Sequence, residues 1–227
     1  MKLFVGVTDV TWFRNLASLV PPVNEVNFWR PSATAFAAIE PGCPFLFKLK
    51  AGINKIGGVG FFHSYRRLPL RMAWETFTVA NGRSSFAELS AIIARYNHAP
   101  TTPLTEIGCI LLENPVFFDE RDWIDVPPSM ATNIVSGKTY DTADADGARL
   151  WQRVSMVLEA GKGRSALPRP ADAVPSVFGN EYLRKSRPCQ AGFRLGLLDA
   201  YGRRCAITGE NILPVLEAAH IQPVAFD

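Results

Sequence analysis

The stretches "PFLFKLK" and "NKIGGVGFFHSYRRLPL" are separated by little more than the residues "AGIN". Each is rich in aromatic and β-branched residues and carries no helical period, so the pair reads as a turn, a strand and its partner strand. Two paired strands with apolar side chains on both faces need cover on both sides, and the rest of the chain must supply it. "KLFVGVT" reads as an earlier strand, followed by a short helix over "DVTWFRNLASL" capped by Thr8 or Asp9 and ended by Pro21 and Pro22. "VNEVNFWRPS" reads as a loop or edge segment, "ATAFAAI" and "RMAWETF" as short helices, "SFAELSAIIARY" as a firmer helix and "EIGCILLENPVFF" as a later strand. The expectation is an α+β fold built on a curled sheet or barrel with short helices. The glycines of "IGGVG" lack the G-x-x-x-x-G-K pattern of a phosphate loop and read as bends in a strand.

Beyond these strands the texture changes. "IVSGKTY" reads as a turn, and a helix over roughly 144–160 shows Ala148, Trp151, Val154 and Leu158 at helical spacing. It is expected to act as a connector. "KGRSALPRPADAVPSVFG" has the prolines and glycines of an exposed linker. A small C-terminal unit follows, with a helix over "CQAGFRLGLLDAYG" ending at Gly202, a strand in "RRCAITGE" and a return strand in "ILPVLEAAH". The expected organisation is therefore 1–140, a connecting helix and linker over 141–180, and a C-terminal unit over 181–227.

Composition narrows the function classes. With 227 residues and 48% apolar content the chain is long enough for a packed core. No stretch approaches the ~20 apolar residues of a membrane helix, and "MKLFVGVTDV" suits a strand better than a signal peptide. A cytoplasmic protein is expected. The four cysteines, Cys43, Cys109, Cys189 and Cys205, are far apart and form no C-x-x-C pair, so they read as reduced thiols. Residues 1–103 hold eleven Lys and Arg against five Asp and Glu, 104–160 hold four against ten, and 161–227 hold nine against six. Two basic regions flank an acidic one, which suits phosphate contacts but equally suits ordinary solvated charge. His63 and His98 have no Cys, Asp or Glu at ligand spacing.

The segment "FRLGLLDAYGRRCAITGENILPVLEAAHIQP", Phe193 to Pro223, resembles the front half of an HNH nuclease domain of the restriction type. The resemblance implies a ββα fold with a divalent metal, Mg by expectation, and makes His220 the general base that deprotonates water beside a DNA phosphate. An imidazole with a pKa near ~6.5 suits that task. The motif's Asn and last His do not follow His220, and Ala219 stands where many members carry a metal ligand. The chain by itself is therefore expected to hold no metal and not to cut DNA. A histidine with a purely structural role near the end of a strand is the alternative.

A second, looser resemblance rests on "FVGVTDVTWF", "NFWRPS", "PGCPFLFKLK", "IGGVGFF" and "AWETF", in that order. These resemble a PUA-like domain of the EVE/YTH branch, which implies a pocket for an everted base. Joined to an HNH domain, this implies a modification-dependent DNA endonuclease that recognises modified cytosine in double-stranded DNA. The alternative is a non-catalytic reader of modified DNA or RNA. Trp12, Phe28, Trp29 and Trp74 are candidate rim aromatics, though each tryptophan also suits a core. Asp9 is a candidate acceptor for a base amino group and equally a helix cap. Arg30, Lys55, Arg66, Arg67 and Arg71 are candidate phosphate contacts, with a solvated strand end as the plain reading of "RRLPLR". Cutting two strands with one site per chain would call for a homodimer.

Overall fold

Strand β1 (Lys2–Thr8) runs parallel to β3 (Pro44–Leu49), and every other pairing in the sheet is antiparallel. Between them the chain forms helix α1 (Val10–Ala17) and strand β2 (Glu25–Arg30). After β3 come β4 (Lys55–Pro69), α2 (Leu70–Phe77), a 3-10 turn over Thr78–Asn81, α3 (Phe86–Asn97) and β5 (Glu106–Phe117). Short strands β6 (Ile124–Asp125) and β7 (Gly137–Asp141) precede α4 (Ala145–Gly161) and, further on, α5 (Gln190–Ala200). The computed structural model describes residues 1–50, 52–131, 133–161, 190–202, 204–211, 216 and 218. No helix among them is long and apolar enough to cross a membrane.

The seven strands form one sheet in the order β2-β5-β4-β3-β1-β7, with β6 pairing the start of β4. The sheet curls without closing, so the fold is α+β as expected but is not a closed barrel. Its curl has a local cause: the register of β4 slips between Val59 and Phe61 against β5, again between Phe62 and Ser64, and between Leu46 and Lys48 on β3. Each bulge adds twist to a long strand. The curl brings edge strand β2 over β1, where a Cβ on Gly6 would meet the Phe45 ring at 2.5 Å and the Phe28 ring at 3.4 Å. Gly6 is the residue that permits this approach.

One apolar layer packs Trp12, Phe13 and Leu16 of α1 with Phe45, Phe47 and Leu49, and continues to Leu70, Phe77, Leu89, Ile93 and Ile107 beneath α2 and α3. A second layer joins Leu3, Val5, Leu46, Ile56 and Val59 to Leu150 and Val154 of α4. The helix expected to be a connector thus covers a sheet face. Its buried stripe is Gly147, Leu150 and Val154, while Ala148 is exposed. Gly147 lets the helix start against β7, since a Cβ there would lie 1.9 Å from the Asp141 carbonyl oxygen.

Three local expectations change. "ATAFAAI" forms no helix: Tyr65 donates its hydroxyl to the carbonyls of Ala33 and Thr34, and Phe36 packs edge-on against Phe4 at 5.1 Å, so tertiary contacts replace the helical ladder. The turn read in "IVSGKTY" includes β7, whose partner β1 lies more than 130 residues away in sequence. "RRCAITGE" is a tight turn instead of a strand, closed by Cys205 N–H to the Glu210 carbonyl at 2.7 Å and Gly209 N–H to the Cys205 carbonyl at 3.0 Å. The linker over 162–180, most of the return strand and His220 lie outside the described residues.

Candidate functional site

Because β1 and β3 are parallel neighbours whose last pair is Thr8 and Leu49, the residues that follow them leave the sheet at the same end. Those residues are Asp9 and Lys50. Asp9 caps α1, with Oδ1 accepting the Trp12 backbone N–H at 2.9 Å. The same oxygen accepts Arg83 Nη2 at 2.8 Å, and Lys50 Nζ stands 4.0 Å from Oδ2. Burial pushes the Asp9 carboxyl pKa up, but the hydrogen bonds from Arg83 and Trp12 and the charges of Arg83 and Lys50 outweigh it. The net result lies below the ordinary carboxylate value.

Arg83 is only 6% exposed, so its position is set by packing. Its guanidinium also donates to the Gly82 carbonyl and lies 5.8 Å from the centre of the Trp29 ring. Asn81, wholly buried, pins the turn that carries it. Asn81 Nδ2 donates to the carbonyls of Ala73 and Thr78, Oδ1 accepts from Asn27 Nδ2 at 2.9 Å, and the backbone carbonyl accepts Trp29 Nε1 at 2.9 Å. Lys50 donates to the Tyr96 hydroxyl, and the Tyr96 ring is 6.1 Å from Trp29. Beside Asp9 an open cleft of about 810 Å³ is lined by Asn15, Arg83, Ser84, Glu88 and Arg95 among others. Its α3 wall is fixed by a reciprocal cap in which Ser85 Oγ accepts the Glu88 N–H and Glu88 Oε2 accepts the Ser84 N–H.

The residues singled out in the sequence are dispersed. Trp12 is 2% and Trp29 8% exposed, and their indole N–H groups donate to the carbonyls of Asn27 and Asn81. Both are core rings rather than pocket rim. Phe28, half-buried, packs on Phe45 at 4.7 Å, and Trp74 is half-buried on α2. Lys55 pairs with Asp125 across β4 and β6, and Arg71 with Glu75 at 2.7 Å. Arg66 faces Asp199 of α5 at 3.2 Å. Arg30 donates to the carbonyls of Thr34 and Ala35. Arg67 is exposed and has no ion-pair partner among the described residues. Arg30 and Arg67 both sit opposite Gly108 of β5, so they share one row two strand spacings, or about 10 Å, apart.

Lys50, Arg83, Asn81 and Tyr96 were not apparent from sequence. The one local signal was "NGRSSFAE", a glycine turn feeding a capped helix, which places a rigid arginine without saying what it meets. A second polar cluster joins His63 to Glu113 at 3.8 Å, with Glu25 opposite Glu113 on β2. Burial raises the Glu113 pKa, the His63 charge lowers it, and Glu25 adds to the rise. Among the described residues no three His, Cys, Asp or Glu side chains come together in a way that could hold a metal ion. The divalent ion expected of an HNH domain therefore has no holder there.

Comparison with protein-family models gives no match, and no curated protein matches the chain. Among solved structures, crystal structures of the ASCH protein of Zymomonas mobilis are similar. A Tyr-to-Phe mutant is 10% identical over 67% of this chain and 98% of that one, with a TM-score of 0.45. A Ser-to-Ala mutant is 8% identical over 66% and 94%, at 0.44, and the unmutated protein 9% identical over 65% and 94%, at 0.43. Similarity at that level leaves the functional reading to this chain's own residues.

Proposed function

We propose that the chain is a nucleic-acid reader that takes one unstacked base at Asp9 and holds the backbone with surrounding cations. The observation that carries this is the charged cluster of Asp9, Arg83 and Lys50 at the shared end of two parallel strands, opening on a cleft of about 810 Å³. That volume falls within the roughly 300–1,000 Å³ of ordinary ligand sites. Asp9 Oδ1 is occupied by two donors, and Oδ2 is the acceptor left for a ligand. A carboxylate held ionised accepts from the exocyclic amine of cytosine, the pairing expected for Asp with that base. Arg83 is rigid enough to hold Asp9 in place, and Lys50 carries a half-exposed ammonium suited to a neighbouring phosphate. Extruding the base costs a few kcal/mol, which aromatic contact at roughly 1–3 kcal/mol per base offsets. Tyr96, bridged to Asp9 through Lys50, is the ring assigned to that contact.

In its finer form the ligand is a modified cytosine in duplex DNA, in keeping with the EVE/YTH-like sequence pattern. Titrating the chain with matched duplexes with and without 5-methylcytosine, and with RNA of the same sequence, at several salt concentrations tests both levels. The expected outcome is binding whose log K falls with log salt by about 0.9 per phosphate contacted. A roughly tenfold loss is expected on Lys50→Ala or Tyr96→Ala, as for a contact of about 1.4 kcal/mol. A chain that binds none of these duplexes even at low salt is not a reader, and equal affinity for both cytosines removes the finer form.

A second reading adds cleavage directed by the reader. One observation favours it: α5, which opens the HNH-like segment, seats Ala191, Leu195 and Leu198 in the same core as the sheet. The catalytic role of His220 and the metal belong to that proposal alone. Incubating this chain with supercoiled DNA and Mg²⁺ tests it, and no nicking is expected without the motif's remaining residues.

A further inference from the structure

Helix α5 is anchored to the sheet at both ends. Its first turn is fixed by Ala191 N–H donating to Glu25 Oε1 at 2.9 Å, and its last by Arg66 Nε against Asp199 Oδ2 at 3.2 Å. Between the anchors lie the buried side chains of Ala191, Leu195 and Leu198. The apolar contacts hold the helix whether or not the last anchor is made, which makes the Arg66–Asp199 pair dispensable for docking.

Arg66 occupies a particular place on β4. From Phe62 to Pro69 this strand pairs only with β5 among the described residues, so its other edge is open. Arg66 and Arg67 project to opposite faces of that open-edged ribbon. Arg67 shares a row with Arg30, and Arg66 meets α5. The pair is solvent-exposed, with 43% of the Arg66 and 54% of the Asp199 side chain accessible. Such a pair is weak and readily exchanged for another anion. A phosphodiester oxygen is the same kind of partner for a guanidinium as a carboxylate oxygen.

We propose that Asp199 is a built-in competitor for the nucleic-acid backbone: in the docked arrangement it occupies Arg66, and a bound DNA phosphate displaces it. This rests on the reader function proposed above and adds its regulation. Nucleic acid then weakens the hold on the C-terminal end of α5, the end that leads into the HNH-like segment, while the apolar seat and the Glu25 anchor remain.

The test compares the full chain with Asp199→Asn, Arg66→Gln and the double variant, titrated with a short DNA duplex carrying 5-methylcytosine at low and moderate salt. Circular dichroism checks that helix content is unchanged. Removing the competitor is expected to tighten binding by about two- to fivefold, the range of an exposed ion pair. It is also expected to steepen the salt slope by about 0.9, one additional phosphate contact. The double variant is expected to bind no tighter than Arg66→Gln alone. Wild-type affinity and slope in Asp199→Asn, or an equal gain in the Arg66→Gln background, overturns the competition and leaves the reader standing. Absence of DNA binding by all four proteins overturns both.

Discussion

Replacing Asp9 by Asn separates the two tasks of this side chain, because Asn and Asp are nearly equal as helix caps whereas only Asp is charged. The variant keeps an acceptor for the Trp12 N–H and leaves Arg83, 6% exposed, without its carboxylate. Removing one partner of a fully buried pair costs about 3–5 kcal/mol. Asp9 is 22% exposed and Arg83 keeps the Gly82 carbonyl, so the expected loss is lower, about 2 kcal/mol. Asp9→Ala adds the lost cap, about 1 kcal/mol more. Urea unfolding of the three proteins measures this, with the slope against urea unchanged if only the folded state is affected. The pH dependence has a definite sign. Asp9 titrates below its ordinary value in the folded protein, so its stabilisation is complete above the unfolded pKa of about 3.9 and is lost as pH falls through the lower folded value. The gap between wild type and Asp9→Asn must therefore be full at neutral pH and close in acid. A variant within about 0.5 kcal/mol of wild type at neutral pH, the scatter of ordinary surface changes, or a gap that widens toward acid would falsify the view that this ion pair anchors the site.

Two further outcomes follow from the same geometry. Trp29→Ala removes a core ring with an internal hydrogen bond and is expected to cost about 3–5 kcal/mol, seen as a lowered melting temperature. Unchanged stability with selective loss of DNA binding would make it a pocket wall instead. Glu113→Gln removes a carboxylate whose folded pKa is raised by burial, a rise that the His63 charge opposes and Glu25 reinforces. A raised acid contributes stability below its unfolded pKa that is lost as pH rises through the folded value, so the variant is expected to gain on wild type from about pH 4 to neutral pH. A loss at neutral pH would show the His63 contact to outweigh burial.

The strands were legible because their apolar residues stand on both faces, as in "PFLFKL", all six of which are buried. The helices at α1 and α3 were legible from their caps, Asp9 and Ser85, each of which accepts the expected backbone N–H. "ATAFAAI" misled because its helix propensity is weaker than the pull of Tyr65 and the Phe4 ring. Of the candidate site, Asp9 was visible and its partners were not. Arg83 lies 74 residues away, and nothing local to "NGRSS" distinguishes an arginine buried on a tryptophan from one in water.

What the sequence alone determined is the inventory: which segments extend, which coil, where helices begin, and that the N-terminal half carries excess positive charge. These depend on short-range steric preferences and side-chain polarity, which act within a few residues. What only the tertiary structure decided is the curl of the sheet, the burial of Trp12 and Trp29, the seating of α4 and α5, and the meeting of Asp9, Lys50 and Arg83. Those depend on which distant surfaces exclude water together, and that becomes definite only when bulged strands bring the sheet's edges near each other.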